Sequence, residues 1–388
     1  MSRQSKDYTG RFQAAPTPKK ARRWVPAVLL VILVLARIAA TGVKGLSLYD
    51  YYVGGDNILI YGNVRGVDFG DRLNSQDGEK TIQVIENEDA VPTGDEDYVI
   101  RLDNGKTLIY QGHTYTLNEN LVTVLFMGID RTLNDGELSD TEQRGQADVL
   151  LLIGIDTTTG KSTILNISRE TYTQVDVYSI NGTFIETRYE QIARAFGHGD
   201  GGEFSCENTR TAVSRLLYGL PISRYIALDM DGIQAANNAV GGVTLKSLFD
   251  FTGPNGKRYH KDDVLHLQGR LLDTYIRTRS LTDVDANAAR MDRQVQYVKA
   301  FSRQVVSASH GSVTFSVDLF SALAPYMVTD LEIPDVTFLG SCYLDSGSEF
   351  TFRGLSGVYD LLGKNAVFYA DDTDIFDAVL QIFYTQTA

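Results

Sequence analysis

Two long uninterrupted apolar runs dominate the hydrophobic pattern of the chain. The first is Val122–Asp130 and the second is Asp148–Asp156, and carboxylates lie at the ends of these runs. A third run, Ser162–Ser168, follows the tight turn Asp156–Gly160. A strand with one solvated face alternates apolar and polar residues, whereas a strand covered on both faces is apolar throughout. The runs therefore predict buried strands of a sheet that is covered on both faces.

Helical periodicity alternates with further strand patterns along the rest of the chain. Helices are predicted at Ile185–Phe196, Glu203–Leu217, Asp231–Val240, near Phe315–Met327 and at Thr373–Tyr384. Strands are predicted at Arg224–Leu228, near Val336–Leu339 and at Glu349–Arg353. This alternation is typical of the α/β class, and we expect residues 119–388 to form a three-layer α/β/α sandwich around a mixed central sheet.

Residues 44–118 have a different pattern, which is polar, rich in glycine and acidic. Short β-prone runs separated by turn residues occur at Thr81–Ile85, Tyr98–Leu102, Thr107–Tyr110 and His113–Leu117. Such runs predict a small β-rich segment. We interpret it as an extracytoplasmic stalk or accessory segment, and it shows no candidate chemistry.

The N-terminal region combines a basic tail with an apolar segment. Residues 1–23 contain seven Lys or Arg against one Asp, and residues 24–43 are apolar apart from Arg37 and Thr41. Twenty helical residues span roughly 30 Å, which is the thickness of a bilayer core, and basic residues mark the cytoplasmic side. The pattern predicts a single-pass anchor at 24–43 with a cytoplasmic tail and an extracellular C-terminal domain. A cleaved signal peptide with an apolar region at Val25–Ala36 is the alternative.

Charge excludes one class of partner. The net charge is −13, and because residues 1–23 carry +6, the remaining chain carries −19. Nucleic-acid binding depends mainly on Lys and Arg that contact phosphates. We therefore expect no nucleic-acid partner, and a local arginine cluster in this acidic chain favours a small anionic ligand.

Such a cluster occurs between Tyr275 and Gln294. The pattern predicts a strand at Thr274–Arg279, in which Arg277 and Arg279 share a face, and a helix that begins near Ala286. Arg290, Arg293 and Gln294 share one face of that helix. Guanidinium groups that converge in this way suit phosphate or pyrophosphate. Salt bridges to nearby aspartates are the alternative interpretation, and the candidates are Asp283, Asp285 and Asp292.

Two strand-end carboxylates are candidate metal ligands. Asp130 ends one predicted strand and Asp148 begins the next, so the two carboxylates meet at one sheet edge if the strands are antiparallel neighbours. Paired carboxylates beside phosphate-binding arginines suit Mg²⁺. The alternative is that each is an ordinary turn residue. Arg131 and Arg169 also follow strands, and either one taken singly is compatible with a solvated charge.

Several motifs together resemble the LytR-CpsA-Psr family of cell-envelope proteins. They occur in the family's order and lie at Leu125–Arg131, Gln146–Leu152, Ile167–Thr171, Leu216–Ile222, Asn238–Val243, Tyr275–Arg279 and Arg290–Gln294.

The resemblance implies an extracytoplasmic phosphotransferase. It would move a glycopolymer from an undecaprenyl-pyrophosphate carrier onto peptidoglycan. The resemblance also implies that Asp130 and Asp148 bind Mg²⁺ and that a set of side chains binds the pyrophosphate, with Arg293 beside it. That set is Arg169, Arg277, Arg279, Arg290 and Gln294.

Three positions depart from the family pattern. Gln146 stands where many members have arginine, and Arg144 is a candidate substitute; Glu170 replaces an aspartate. Asn287 stands where many members have an aspartate, and because an amide cannot act as a base, Asp285 is the nearest replacement. Two other functions therefore stay open, namely a polyprenyl-pyrophosphate hydrolase and a non-catalytic envelope protein that binds the lipid pyrophosphate.

Overall fold

The computed structural model describes a large part of the predicted C-terminal domain. The described residues are 66–68, 83–85, 98–130, 144–229, 232–277, 293, 296–297, 300–301, 303–304, 307–308, 319, 321–332, 334–335, 338–339, 342, 350–363 and 365–387. The predicted tail and the predicted anchor at 24–43 lie outside them. Among these residues, no helix has both the length and the apolar character needed for a bilayer crossing.

A six-stranded mixed sheet forms the centre of the fold. Its strands are β5 (Leu121–Asp130), β6 (Gln146–Asp156), β7 (Ser162–Ile167), β10 (Arg224–Asp229), β15 (Met327–Thr329) and β16 (Phe350–Gly354). Their order across the sheet is β15-β10-β5-β6-β7-β16. The strands β5, β6 and β7 are antiparallel neighbours, whereas β10 runs parallel to β5 and β16 runs parallel to β7. The buried strands predicted from the apolar runs are thus confirmed.

Hydrophobic side chains cover both faces of this sheet. Along β5, Val124 and Phe126 belong to one buried cluster, and Leu125 and Met127 belong to the other. Helices α3 (Gly232–Ala239) and α4 (Arg270–Arg277) contribute to the first cluster; α1 (Arg194–Gly197), α2 (Glu203–Leu216) and α5 (Asp372–Phe383) contribute to the second. Successive side chains of a strand point to opposite faces, which explains the uninterrupted apolar runs. The mixed α/β class is confirmed.

A second sheet joins the predicted accessory segment to the C-terminal end of the described chain. It consists of β1 (Gln83–Ile85), β2 (Tyr98–Leu102), β3 (Thr107–Tyr110), β4 (His113–Leu117) and β19 (Tyr384–Gln386). Strand β19 pairs with β4, and buried residues such as Leu108 and Tyr110 pack in the same cluster as α5. The predicted strands are confirmed, and the stalk role stays a prediction.

Four two-stranded ribbons complete the described strands. They are β8 (Tyr172–Tyr178) with β9 (Phe184–Gln191), β11 (Val243–Lys246) with β14 (Val264–Leu267), β12 (Phe251–Thr252) with β13 (Arg258–Tyr259), and β17 (Gly357–Leu362) with β18 (Asn365–Ala370). Phe368 on β18 donates its N–H to Glu170 O at 2.8 Å. The β17–β18 ribbon is thus fastened to the turn that follows β7.

Three predicted elements were wrong. The segment predicted as a helix at Ile185–Phe196 forms β9 followed by the short helix α1, because β9 pairs with β8 along its length. The segment predicted as a strand at Thr274–Arg279 is helical through Arg277, where α4 ends. Near Val336–Leu339, the described residues Phe338 and Leu339 are helical and buried. In each segment, packing overrides a weak local preference.

Candidate functional site

The candidate site lies where β5 ends and β6 begins. Asp130 pairs with Gln146 in the ladder, and the register shifts between Gly128 and Ile129, so that the ladder passes from Val149 to Ala147 and skips Asp148. Such a bulge re-aims a side chain at the end of a sheet. The predicted meeting of Asp130 and Asp148 at one edge of antiparallel strands is confirmed.

Glycine is required at the start of this irregularity. A Cβ atom on Gly128 would lie 2.8 Å from Cγ2 of Val149, closer than real Cβ contacts allow. The Val149 side chain therefore occupies the space over Gly128. This close packing lies next to both carboxylates, two residues before Asp130 and one residue after Asp148.

Arg169 contacts Asp148, one of the two carboxylates. It lies in a turn after β7, in which Thr171 N donates to Ser168 O at 3.0 Å, and its own carbonyl accepts from Ala193 N at 3.2 Å. Its Nη1 forms an ion pair with Oδ1 of Asp148. Its Nη2 donates to Oε1 of Gln146 at 2.7 Å. Gln146 thus orients Arg169 at the position where the resemblance led us to expect another arginine.

The electrostatics of Asp148 are unusual for a carboxylate. Burial raises the pKa of Asp148 to about 6, and the negative charges of Asp130 and Glu170 act in the same direction, although Arg169 opposes them. One arginine therefore does not compensate for the burial of this group among other carboxylates. Additional positive charge at this edge would stabilise the ionised form.

The chemistry of this pair fits a hard divalent cation. Mg²⁺ is usually held by one or two carboxylates, with water and substrate oxygens as the other ligands. Asp130 and Asp148 supply two such carboxylates at one edge, and the raised pKa of Asp148 shows that its ionised form lacks compensating charge. Within the described ranges, no group of three or more His, Cys, Asp or Glu side chains has a metal-binding arrangement. The fit is therefore to a two-carboxylate site.

Three side chains beside Arg169 form a hydrogen-bonded group that the sequence did not predict. Ser168 Oγ donates to Glu170 Oε2 at 2.9 Å, and it lies 3.1 Å from the hydroxyl of Tyr359 on β17. Burial raises the pKa of Tyr359, so the hydroxyl keeps its proton. Ser168 and Glu170 flank a motif arginine, which was a usable signal. Tyr359 lies 191 residues from Ser168, and nothing in the pattern linked them.

Most of the remaining predicted site residues lie outside the described part of the chain. Arg277 ends α4, and five others lie outside the described residues, namely Arg131, Arg279, Asp285, Arg290 and Gln294. Arg293 is only 3% exposed; its Nε donates to Tyr275 O at 3.0 Å, and its guanidinium carbon lies 4.1 Å from the centroid of the Phe249 ring. These contacts place Arg293 inside the helical layer, and its role in substrate binding stays a prediction.

Arg144, the candidate substitute for Gln146, has a different partner. Its Nη1 donates to Gly199 O in the glycine-rich loop before α2. Asp200 Oδ1 in that loop accepts N–H groups from Gly202 at 2.7 Å and from Ser205 at 3.2 Å. Arg144 therefore fastens the loop that precedes α2.

The model of the LytR_cpsA_psr family matches residues 86–381. The chain belongs to this family. The predicted resemblance is thus confirmed, and the match begins within the segment interpreted as an accessory region.

Curated relatives in this family are named as transferases. The chain is 25% identical over 257 residues to the polyisoprenyl-teichoic acid–peptidoglycan teichoic acid transferase TagU of Oceanobacillus iheyensis, covering 66% of this chain and 73% of the relative. It is 30% identical over 193 residues to the corresponding transferase TagV of Bacillus subtilis, covering 48% of this chain and 44% of the relative. These LytR_cpsA_psr relatives are enzymes, in agreement with the expectation for this chain.

The fold agrees with a solved structure. The crystal structure of protein gbs0355 from Streptococcus agalactiae superposes with a TM-score of 0.50 at 20% identity, covering 68% of this chain and 86% of that protein. At this identity the likeness concerns the fold. It supports the mixed α/β architecture described above.

Proposed function

We propose that this chain transfers a glycopolymer from an undecaprenyl-pyrophosphate carrier onto peptidoglycan, with Mg²⁺ as cofactor. The proposal rests on family membership, on relatives named as teichoic acid transferases, and on the carboxylate pair beside Arg169. It includes a location at the cell membrane, with residues 24–43 as a single-pass anchor, the N-terminus in the cytoplasm and the site outside. Protease digestion of intact cells tests this orientation, since a cytoplasmic C-terminal domain would be protected.

The proposed reaction is a phosphoryl transfer. A sugar hydroxyl of peptidoglycan attacks the phosphorus that carries the glycopolymer, a new oxygen–phosphorus bond forms, and the pyrophosphate bridge breaks. The lipid leaves as its monophosphate. The hydroxyl proton passes to a general base, for which Asp285 is the proposed candidate. Catalysis of such a step depends mainly on positioning and on compensation of negative charge.

Each predicted site residue has a role in this proposal. Asp130 and Asp148 would hold Mg²⁺, which when bound supplies positive charge to the pyrophosphate. Arg169, held by Gln146 and by Asp148, directs its guanidinium group to the same edge. The remaining predicted pyrophosphate-binding side chains are Arg131, Arg277, Arg279, Arg290, Arg293 and Gln294.

The observation that carries the proposal is the contact of Arg169 with Asp148. Burial raises the pKa of Asp148 to about 6 even though the contact with Arg169 lowers it. One arginine therefore compensates the buried carboxylate only in part. Such perturbed groups are typical of functional sites.

Replacing Arg169 with alanine tests the proposal. We expect transfer from a lipid-linked donor to fall by about 100-fold or more, because the transition state loses one positioned positive charge. Arg210→Ala is the matched control, since Arg210 has a similarly exposed side chain, at 28% against 34% for Arg169, and also forms ion pairs, with Glu207 and Asp330.

The products and the control together decide the outcome. A conjugate of glycopolymer and peptidoglycan identifies transfer, whereas free polymer monophosphate identifies hydrolysis. Undiminished transfer by Arg169→Ala, or an equal loss in Arg210→Ala, would contradict the assignment of Arg169.

A further inference from the structure

A groove outside the candidate site lies beside the Arg169 turn. It has a cavity of about 110 Å³ between the β8–β9 ribbon and the turn after α2. One water occupies about 30 Å³ of liquid, so the groove has room for more than a single solvent molecule. Its lining includes Asp68, Tyr172, Gln174, Tyr189, Arg215 and Tyr218.

Tyrosine rings form one wall of this groove. The ring centroids of Tyr172 and Tyr189 lie 5.9 Å apart at an interplanar angle of 32°, and Tyr369 packs against Tyr172 with centroids 5.6 Å apart. Tyr189 is 46% exposed, so much of its ring surface faces solvent. Tyrosines combine a rigid apolar face with a polar hydroxyl, and they lose little conformational entropy when they bind. A cluster of this kind suits a ligand that has both apolar faces and hydroxyl groups.

The charge of the groove disfavours an anion. Arg215 donates from Nη1 to Asp176 Oδ1 at 2.7 Å and from Nη2 to Asp176 Oδ2 at 2.9 Å. This bidentate pairing engages the guanidinium fork and neutralises its charge. Asp68 also lines the groove, and its backbone N–H donates to Tyr218 O at 2.8 Å. A neutral ligand is therefore favoured over a phosphate.

The backbone of the groove is held in an uncommon conformation. Tyr218 has a φ of +56°, in the left-handed region that side chains other than glycine rarely adopt, and Gly219 follows with a φ of +75°. Tyr218 is held there by the hydrogen bond of its hydroxyl to Asp372 O at 3.1 Å and by packing against Phe376. These two residues follow the end of helix α2, and Gly219 N donates back to Ser214 O at 2.8 Å, as is common where a helix terminates. They fix the backbone at this side of the groove.

The groove is also close to the proposed chemistry along the chain. Tyr172 follows Arg169 by three residues, and Ile192 N donates to Thr171 O at 2.8 Å between the groove and the Arg169 turn. A ligand that lies on Tyr172 and Tyr189 is thus held by the ribbon that continues directly from that turn.

We infer that this groove binds a neutral pyranose ring of a glycan. The apolar C–H face of a sugar stacks on the exposed tyrosine ring, and its hydroxyls meet polar groups such as the amide of Gln174, whose Nε2 lies 3.5 Å from the Tyr189 hydroxyl. The identity of the glycan rests on the proposed function, which offers two sources. One is the peptidoglycan acceptor strand, and the other is the sugar part of the lipid-linked donor.

Binding of chitotetraose, a neutral oligosaccharide, to the full-length chain in detergent micelles tests the inference. We expect saturable binding by calorimetry, a loss of at least tenfold in Tyr189→Ala, and nearly unchanged binding in Tyr189→Phe, which keeps the ring. Tyr326→Ala is the matched control, because Tyr326 is a partly exposed tyrosine, at 36%, that does not line this groove. A glycerol-phosphate oligomer should not compete, because the groove disfavours anions.

Several results would overturn the inference. They are the absence of chitotetraose binding by the wild-type chain, equal binding by Tyr189→Ala with its fold intact by circular dichroism, and competition by the anionic oligomer. Because this measurement uses neither donor nor turnover, its failure is separate from a failure of the Arg169→Ala test.

Kinetics then distinguish the two sources. An increased KM of Tyr189→Ala for the acceptor alone assigns the groove to the peptidoglycan strand. An increased KM for the donor alone assigns it to the donor sugar. Unchanged KM values for both substrates would contradict a role of the groove in transfer.

Discussion

Replacing Asp148 with asparagine tests whether the candidate site is built at a cost in stability. Burial raises the pKa of Asp148 from the ordinary 3.8 to about 6, and the charges of Asp130 and Glu170 add to this effect. Since each pKa unit corresponds to about 1.4 kcal/mol, the ionised carboxylate costs the metal-free folded state about 3 kcal/mol at pH 7. Asparagine resembles the protonated carboxyl in shape and carries no charge.

The sign of the pH dependence follows from the raised pKa. Below about pH 4, Asp148 is protonated in both the folded and the unfolded chain, so folding carries no cost for burying its charge. The stability that the protonated group gives the folded chain is lost as the pH rises through the folded pKa of about 6. We therefore expect Asp148→Asn to match the wild type near pH 4 and to be more stable by up to about 3 kcal/mol at pH 7 in EDTA.

Urea unfolding followed by circular dichroism measures this difference at both pH values. Added Mg²⁺ at 100 times its dissociation constant should raise the free energy of unfolding of the wild type by about 2.7 kcal/mol, and it should have little effect on the variant. The opposite end of β6 supplies the control. Asp156 Oδ2 accepts from Nδ2 of Asn118 at 2.7 Å, and the amide nitrogen of asparagine cannot accept there, so Asp156→Asn should destabilise the fold by about 1 kcal/mol.

If Asp148→Asn is less stable than the wild type by the same amount at pH 4 and at pH 7, ionised Asp148 does not destabilise the metal-free fold. That result would mean that the carboxylate is satisfied in the folded state. The edge would then not be arranged for an additional positive charge.

Two further substitutions test the elements around the site. Burial alone would raise the pKa of Asp176, but hydrogen bonds from Arg215 and Thr187 outweigh it and lower the pKa. The stabilisation of the fold by ionised Asp176 is therefore present at neutral pH and is lost as the pH falls through the folded pKa. Urea unfolding of Arg215→Met should show a loss of about 2 to 3 kcal/mol at pH 7 and a smaller one near pH 3; equal losses would contradict the ion-pair account. Tyr384→Phe should lower the thermal midpoint, at a cost of about 1 to 3 kcal/mol, because the buried hydroxyl donates to Gly105 O at 2.6 Å and accepts from Val67 N at 3.1 Å. An unchanged midpoint would show that these backbone groups find other partners.

The central strands were predictable because their signal is local and redundant. Every residue from Val122 to Ile129 is apolar or small apart from Thr123, and only a strand buried on both faces requires such a run. The carboxylates at Asp130 and Asp148 interrupt the apolar runs where the sheet reaches solvent. The sequence predicted that the two carboxylates meet only if these strands are antiparallel neighbours, and the pairing of β5 with β6 supplies that condition.

The ribbon β8–β9 and the helix α4 were not predictable in the same way. The wrong predictions rest on short segments, Phe184–Gln191 and Thr274–Arg277, and a pattern over so few residues does not separate helix from strand. Whether such a segment forms a helix or a strand is decided by the element that it packs against, which is distant in sequence or lies in another layer. The helix α4 forms because Leu272, Tyr275 and Ile276 share one buried face of the helical layer.

The sequence by itself determined the order of the motifs, the family, the buried strands and the position of the candidate carboxylates. Only the tertiary structure decided what surrounds them: the contact of Arg169 with Asp148 and Gln146, the approach of Tyr359 to Ser168 across 191 residues, and the groove between β8–β9 and the turn after α2. The apolar runs that indicate buried strands are local features of the sequence, whereas these contacts depend on how complete layers pack together. Hydrophobic periodicity therefore indicates where the buried strands lie, and it says almost nothing about the contacts between layers.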